Sequence, residues 1–109
     1  VTPKQFEKYL ARDYHCYHCG TSDETLIPQH RAGRGHGGSK TANRPCNVIV
    51  LCSAANSLLE SDAKFAELGR QYGWKLSRYA DPLVEPVYDL VTGTWFVLDD
   101  QYGRTVYSL

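Results

Sequence analysis

Two stretches of this sequence carry side chains able to do chemistry together: PQHRAGRGHGG, beginning at Pro28, and RPCNVIVLCSAANSLLESD, beginning at Arg44. His30 stands ahead of a glycine-rich basic loop, Asn47 heads an apolar run, and Asn56 and Glu60 lie four residues apart. Hydrolysis of a phosphodiester needs an activated water, a cation to stabilise charge on the phosphoryl and leaving oxygens, and groups that hold the phosphate. Histidine is the commonest protein base for such a proton transfer, which makes His30 the candidate general base. On a helix, residues four apart share a face, so the amide oxygen of Asn56 and the carboxylate of Glu60 can meet one cation. Gln29 offers a further oxygen beside the base. An all-oxygen ligand set favours Mg²⁺ or Mn²⁺ over zinc.

The charge pattern points the same way. The 109-residue chain has a formal net charge of +0, yet Arg31, Arg34, Lys40 and Arg44 fall within fourteen residues that hold no acid. A local basic face of this kind suits phosphate contact, and arginine forks are the better clamps. Such contacts locate the backbone and carry little base information, so weak sequence preference and salt-sensitive binding are expected. The glycines at 33, 35, 37 and 38 allow close approach of a ligand or simply give flexibility, and His36 is either a spare phosphate contact or without a role.

Four cysteines are present. The tight Cys16-x2-Cys19 pair followed by Gly20 has the form of a metal knuckle. With no apolar run near the ~18–20 residues needed to span a bilayer and no leader-like N-terminal segment, reduced cysteines and a cytoplasmic setting are expected.

These groups need a scaffold. Thr2, Pro3 and the spacing of Phe6, Tyr9 and Leu10 predict a capped amphipathic helix over 3–12. A short strand through 25–27 delivers Gln29 and His30, residues 31–45 form a long loop, and 48–51 form a buried strand. A helix starting near Ser53 carries Leu58 and Leu59. Asp62 caps a second one, with Phe65, Leu68 and Tyr72 on one face and Gly73 at its end. Beyond it, VYDLV, WFVLDD and TVYSL, separated by turns at Thr92-Gly93 and Gly103, predict an antiparallel meander. Trp74, Trp95 and the tyrosines are expected to pack there as core and edge. Residues 1–73 thus read as a core with its N-terminal helix, and 74–109 as a β appendage packed on it.

Residues 16–60 resemble the HNH nuclease family, and most closely the small HNH proteins of actinobacterial phages. The resemblance implies an α+β fold: a ββα-metal core of hairpin and helix, an N-terminal helix, a cysteine knuckle and a small C-terminal antiparallel sheet. It implies a divalent-metal-dependent DNA endonuclease of low sequence specificity, with a catalytically weak or inactive HNH-scaffold nucleic-acid-binding module as the alternative. In the family a metal-binding Asp or His precedes the base; here that pair is Gln29 and His30. The asparagine that orients the base loop falls on Asn47, so the expected catalytic pair is His30 and Asn47. The helical metal ligand falls on Asn56, nine residues later, with Glu60 as a further ligand one turn on. Arg31, Arg34, Lys40 and Arg44 would hold DNA phosphates. Gln29 is neutral where a carboxylate or imidazole is usual, which should weaken metal binding. The second Cys-x2-Cys pair is broken after Cys52, leaving Cys16, Cys19 and Cys52 for structural zinc, with Cys46 or His18 as the fourth ligand. DNA is the expected partner, with no membrane, and the phage likeness leaves a place for a packaging machine or another protein partner in the host cytoplasm.

Overall fold

The computed structural model describes residues 1–33 and 42–108. Helix α1 (Pro3–Asp13) begins on a capping box: the Thr2 hydroxyl accepts from the Gln5 N–H while the Gln5 side chain accepts from the Thr2 N–H. It ends where Tyr14 turns to a φ of 69°. Its inner face does more than pack Tyr9. Arg12 and Asp13 are both buried, joined by two parallel hydrogen bonds of 2.7 and 2.8 Å. Arg12 also donates to the carbonyls of Pro45 and Val48, while Asp13 accepts from the Tyr17 hydroxyl and the Val50 N–H. The helix is therefore riveted to the chain's most buried strand by a fully paired ionic group, the only form in which charge is tolerated at such depth.

Strands β1 (Leu26–His30) and β2 (Val48–Cys52) pair antiparallel, with Gln29 opposite Ile49 and His30 opposite Val48. Every residue of β2 is buried, which is why VIVLC reads as an unbroken apolar run rather than an alternating one. Helix α2 (Ser53–Ser61) follows without a linker, Cys52 serving as its N-cap, and contacts both strands. Helix α3 (Ala63–Gln71) is capped by Asp62 and packs on α2. Gly73, at φ 75°, ends this helical pair; a side chain there would run into the Pro86 carbonyl.

The predicted meander forms as β3 (Val87–Asp89), β4 (Thr94–Leu98) and β5 (Arg104–Val106), in that order and antiparallel. Trp74, Tyr72, Tyr88 and Trp95 stack in series with ring centroids 4.9–5.2 Å apart between successive neighbours. Trp74 is fully buried and donates to the Tyr88 carbonyl, so it belongs to the core as expected. One apolar cluster runs from Tyr9 and Tyr17 through β2 and Leu59 to Trp74, Val87, Phe96 and Leu98. The architecture is α+β, with three helices and two small antiparallel sheets among the described residues. No described helix is long and apolar enough to cross a membrane.

Candidate functional site

A cavity of roughly 510 Å³ opens where β1 meets α2. Pro28, Gln29 and His30 line it from the strand, Asn56 and Glu60 from the helix, and Lys75 and Arg78 from the segment after α3. The expected base and all three expected oxygen ligands thus share one concavity. Direct succession of strand and helix explains why: with no connecting loop, the first turns of α2 must lie against β1, and the four-residue spacing puts Asn56 and Glu60 on one face.

Within the cavity the polar atoms are already organised. The Gln29 amide nitrogen donates to the His30 carbonyl at 2.7 Å, and the Asn56 amide donates to Gln29 Oε1 in a close contact. His30 Nε2 is 2.6 Å from Asn43 Oδ1. An amide oxygen only accepts, so Nε2 carries a proton and Nδ1 is the ring's remaining basic position. Glu60 lies 3.6 Å from the Lys75 ammonium, with Glu60 exposed and Lys75 half-buried. Asn43, Lys75 and Arg78 carry no signal in the sequence: Asn43 meets His30 across thirteen residues, and the two cations lie in the stretch that reads as appendage.

Asn47 acts at one remove. It is buried, and its amide accepts from the Ala32 N–H at 2.8 Å while donating to the carbonyls of Ala32 and Ala42. Its own carbonyl takes the Arg31 N–H. Asn47 therefore ties Ala32 to Ala42 on either side of the segment that follows His30, the loop-orienting role expected of it, and acts as a positioning residue.

One of the expected phosphate clamps, Arg31, is corrected, and a second, Arg44, already has a partner. Arg31 is 1% exposed, and all five of its guanidinium N–H groups are spent on backbone carbonyls, those of Gly73, Cys46, Pro82, Glu85 and Pro86. Burial lowers its pKa to about 10, still charged at neutral pH. Such a side chain cannot reach a phosphate. Arg44 is engaged by Asp100 at 2.8 Å and stands 4.0 Å from Asp81. Burial works to raise the Asp100 pKa, but hydrogen bonds from Arg44 and Cys46 outweigh it and hold the carboxyl below its usual range. The pair locks the turn before β2 to the end of β4. Arg34 and Lys40, with His36 and the glycines at 35, 37 and 38, lie outside the described residues.

A second site is built from sulfur. Cys16, Cys19 and Cys52 bring their Sγ atoms within 4.8 Å of one another. Four thiolates at ~2.3 Å from a tetrahedral zinc stand roughly 3.8 Å apart; Cys19 Sγ and Cys52 Sγ are 3.8 Å apart. Backbone N–H groups already point at the sulfurs, from His18 to Cys16 and from Ala55 to Cys52, each at 3.4 Å. Burial pushes the Cys16 thiol up to about 11, so a cation is needed to hold it as thiolate. This trio could hold a metal such as zinc. Neither suggested fourth ligand joins it. Cys46 is buried in the single-turn 3-10 helix Pro45–Asn47, with its thiol pushed up to about 12 by burial, and the cluster does not include it. The His18 ring packs edge-on against Phe65 and Trp74. Protein purified from zinc-containing medium should carry about one zinc per chain by elemental analysis; Cys19→Ser should lose it and melt at lower temperature, and zinc-free wild type with an unchanged melt would refute the site.

No protein-family model, no curated protein and no solved structure matches this chain.

Proposed function

We propose that the chain is a divalent-metal-dependent DNA endonuclease of the HNH type, with the β1–β2 hairpin and α2 as its ββα-metal core. The observation that carries the reading is the shared cavity: His30, held at Nε2 by Asn43, faces the same space as Gln29, Asn56 and Glu60. The donor set fits a magnesium-class ion, being two amide oxygens and one carboxylate with no sulfur or second imidazole. It is a weak set, with a single negative charge that already has Lys75 for company. Bound there, Mg²⁺ or Mn²⁺ would act as a Lewis acid toward the phosphoryl and leaving oxygens.

The protein's own part is general-base catalysis and positioning. His30 Nδ1 accepts a proton from water as its oxygen attacks phosphorus. The bond from phosphorus to the leaving deoxyribose oxygen breaks, and that oxygen departs with the bonding pair and takes up a proton from solvent. Asn43 fixes the ring during the transfer, and Asn47 fixes the loop ends beside it. Plasmid nicking titrated with Mg²⁺ and Mn²⁺ tests the reading. Nicking that rises with metal and stops on chelation supports it; none at any metal concentration overturns it.

One feature favours a second reading, a scaffold that binds DNA without cutting. Gln29 is neutral, and its oxygen is already taken by Asn56, so the cation's nearest helper is preoccupied. Duplex binding with no turnover would select this reading. On either reading the proposed partner is DNA.

A further inference from the structure

Arg31 is spent on the fold and Arg44 is paired with Asp100, so among the described residues other cations are better placed to grip a phosphate at this cavity. Among the described residues lining it, the lysine and arginine side chains are Lys75 and Arg78. Their segment is pinned to the strand that delivers His30. The Leu76 N–H donates to the Arg31 carbonyl at 2.7 Å, Ala32 and Leu76 form a parallel bridge, and buried Trp74 anchors the segment's start through its bond to Tyr88. Both cations are thus held in fixed register with the base.

Neither is tied up strongly. The Lys75–Glu60 pair is 3.6 Å long, with Glu60 72% exposed, and a solvated pair of this kind contributes ~0–1 kcal/mol. A phosphate can draw the ammonium away at little cost, which also frees Glu60 for a cation. Arg78 makes no ion pair among the described residues; its guanidinium lies 4.9 Å from the Tyr79 ring centroid and donates to the Tyr79 hydroxyl. Stacking restrains the planar group without neutralising it.

We propose that Lys75 and Arg78 are the phosphate-gripping residues of this pocket, and that they hold the DNA backbone against His30. The proposal rests on the pocket being a DNA-phosphate site, as in the preceding reading, and assigns its anchoring cations to residues 74–79.

The test is fluorescence anisotropy with a labelled DNA duplex, in buffer without added Mg²⁺ or Mn²⁺, across a salt series. Each lost phosphate contact reduces the slope of log K against log salt by about 0.9, which is roughly a tenfold loss of affinity at ~50 mM salt. The double variant Lys75→Met, Arg78→Gln should therefore bind roughly a hundredfold more weakly at low salt, with a slope shallower by about 1.8. A control pair on exposed positions of α3, Lys64→Met with Arg70→Gln, should leave affinity and slope as in wild type. An unchanged slope in the first variant, or no duplex binding by wild type, overturns the proposal. If wild type binds with the predicted dependence but never nicks, the nuclease reading fails and the grip stands. If it nicks and the variant's slope is unchanged, the reverse holds.

Discussion

Replacing Arg31 with methionine is expected to destabilise the protein severely. Methionine fills much of the same space, so the loss is not chiefly one of packing. It strands the carbonyls of Gly73, Cys46, Pro82, Glu85 and Pro86, which come together at one point only because a five-donor fork sits between them. A buried polar group left without a partner costs ~1–3 kcal/mol. Even if the looser loop carbonyls turn to water, the sum is roughly 5 kcal/mol or more, against a total stability of ~5–15 kcal/mol for an ordinary domain. The melting temperature should fall by roughly 20 °C or more, judged by 4–8 °C per kcal/mol in a domain of this size. Arg31→Lys keeps the charge but brings three donors to five acceptors, and should fall between methionine and wild type. Circular dichroism melts decide it; a methionine variant melting within a few degrees of wild type would show that the carbonyls are satisfied without the guanidinium.

His30→Ala should lower the rate of metal-dependent plasmid nicking by about 10²- to 10⁴-fold, the range a positioned base contributes. Its melt should barely move. The half-buried imidazole is replaced on a strand whose pairing to Val48 runs through the backbone. Duplex binding should be retained, since the anchoring cations are other residues. Asn43→Ala should reduce turnover less, through loss of ring orientation, with binding equally spared. Nicking by the alanine variant at the wild-type rate would remove His30 from the mechanism, and a parallel collapse in its melt would make it a structural residue.

These two side chains also show how far the sequence could be read. Elements carrying a local signature were legible. The Thr2 cap with Pro3, the apolar run of β2, the Asp62 cap and the turns of the meander each announce themselves within a few residues. His30, Gln29, Asn56 and Glu60 were legible as a group because a hairpin leading directly into a helix fixes their relation, and the Cys16, Cys19 and Cys52 trio because Cys52 sits at that same junction. Arg31 was misread for the opposite reason. Its neighbours in sequence are glycines and cations, which suggest a phosphate loop, while four of the five carbonyls it holds lie 42 to 55 residues away. The partner of Arg44 was hidden likewise, Asp100 being 56 residues on. Asn43, Lys75 and Arg78 owe their importance to where the backbone folds past the cavity, and no short pattern encodes that.

Cys52 belongs to two structures at once. Its sulfur is one of the trio, and it also accepts the Ala55 N–H at the start of α2. Asn56 is the very next residue, and Glu60 lies one turn beyond. The sulfur therefore sits at the helix start, among its first N–H groups and directly behind the residues facing the cavity. Cys52→Ala would remove both the cap of α2 and one sulfur of the trio, so a single substitution should disturb the placement of Asn56 and Glu60 and the sulfur site together.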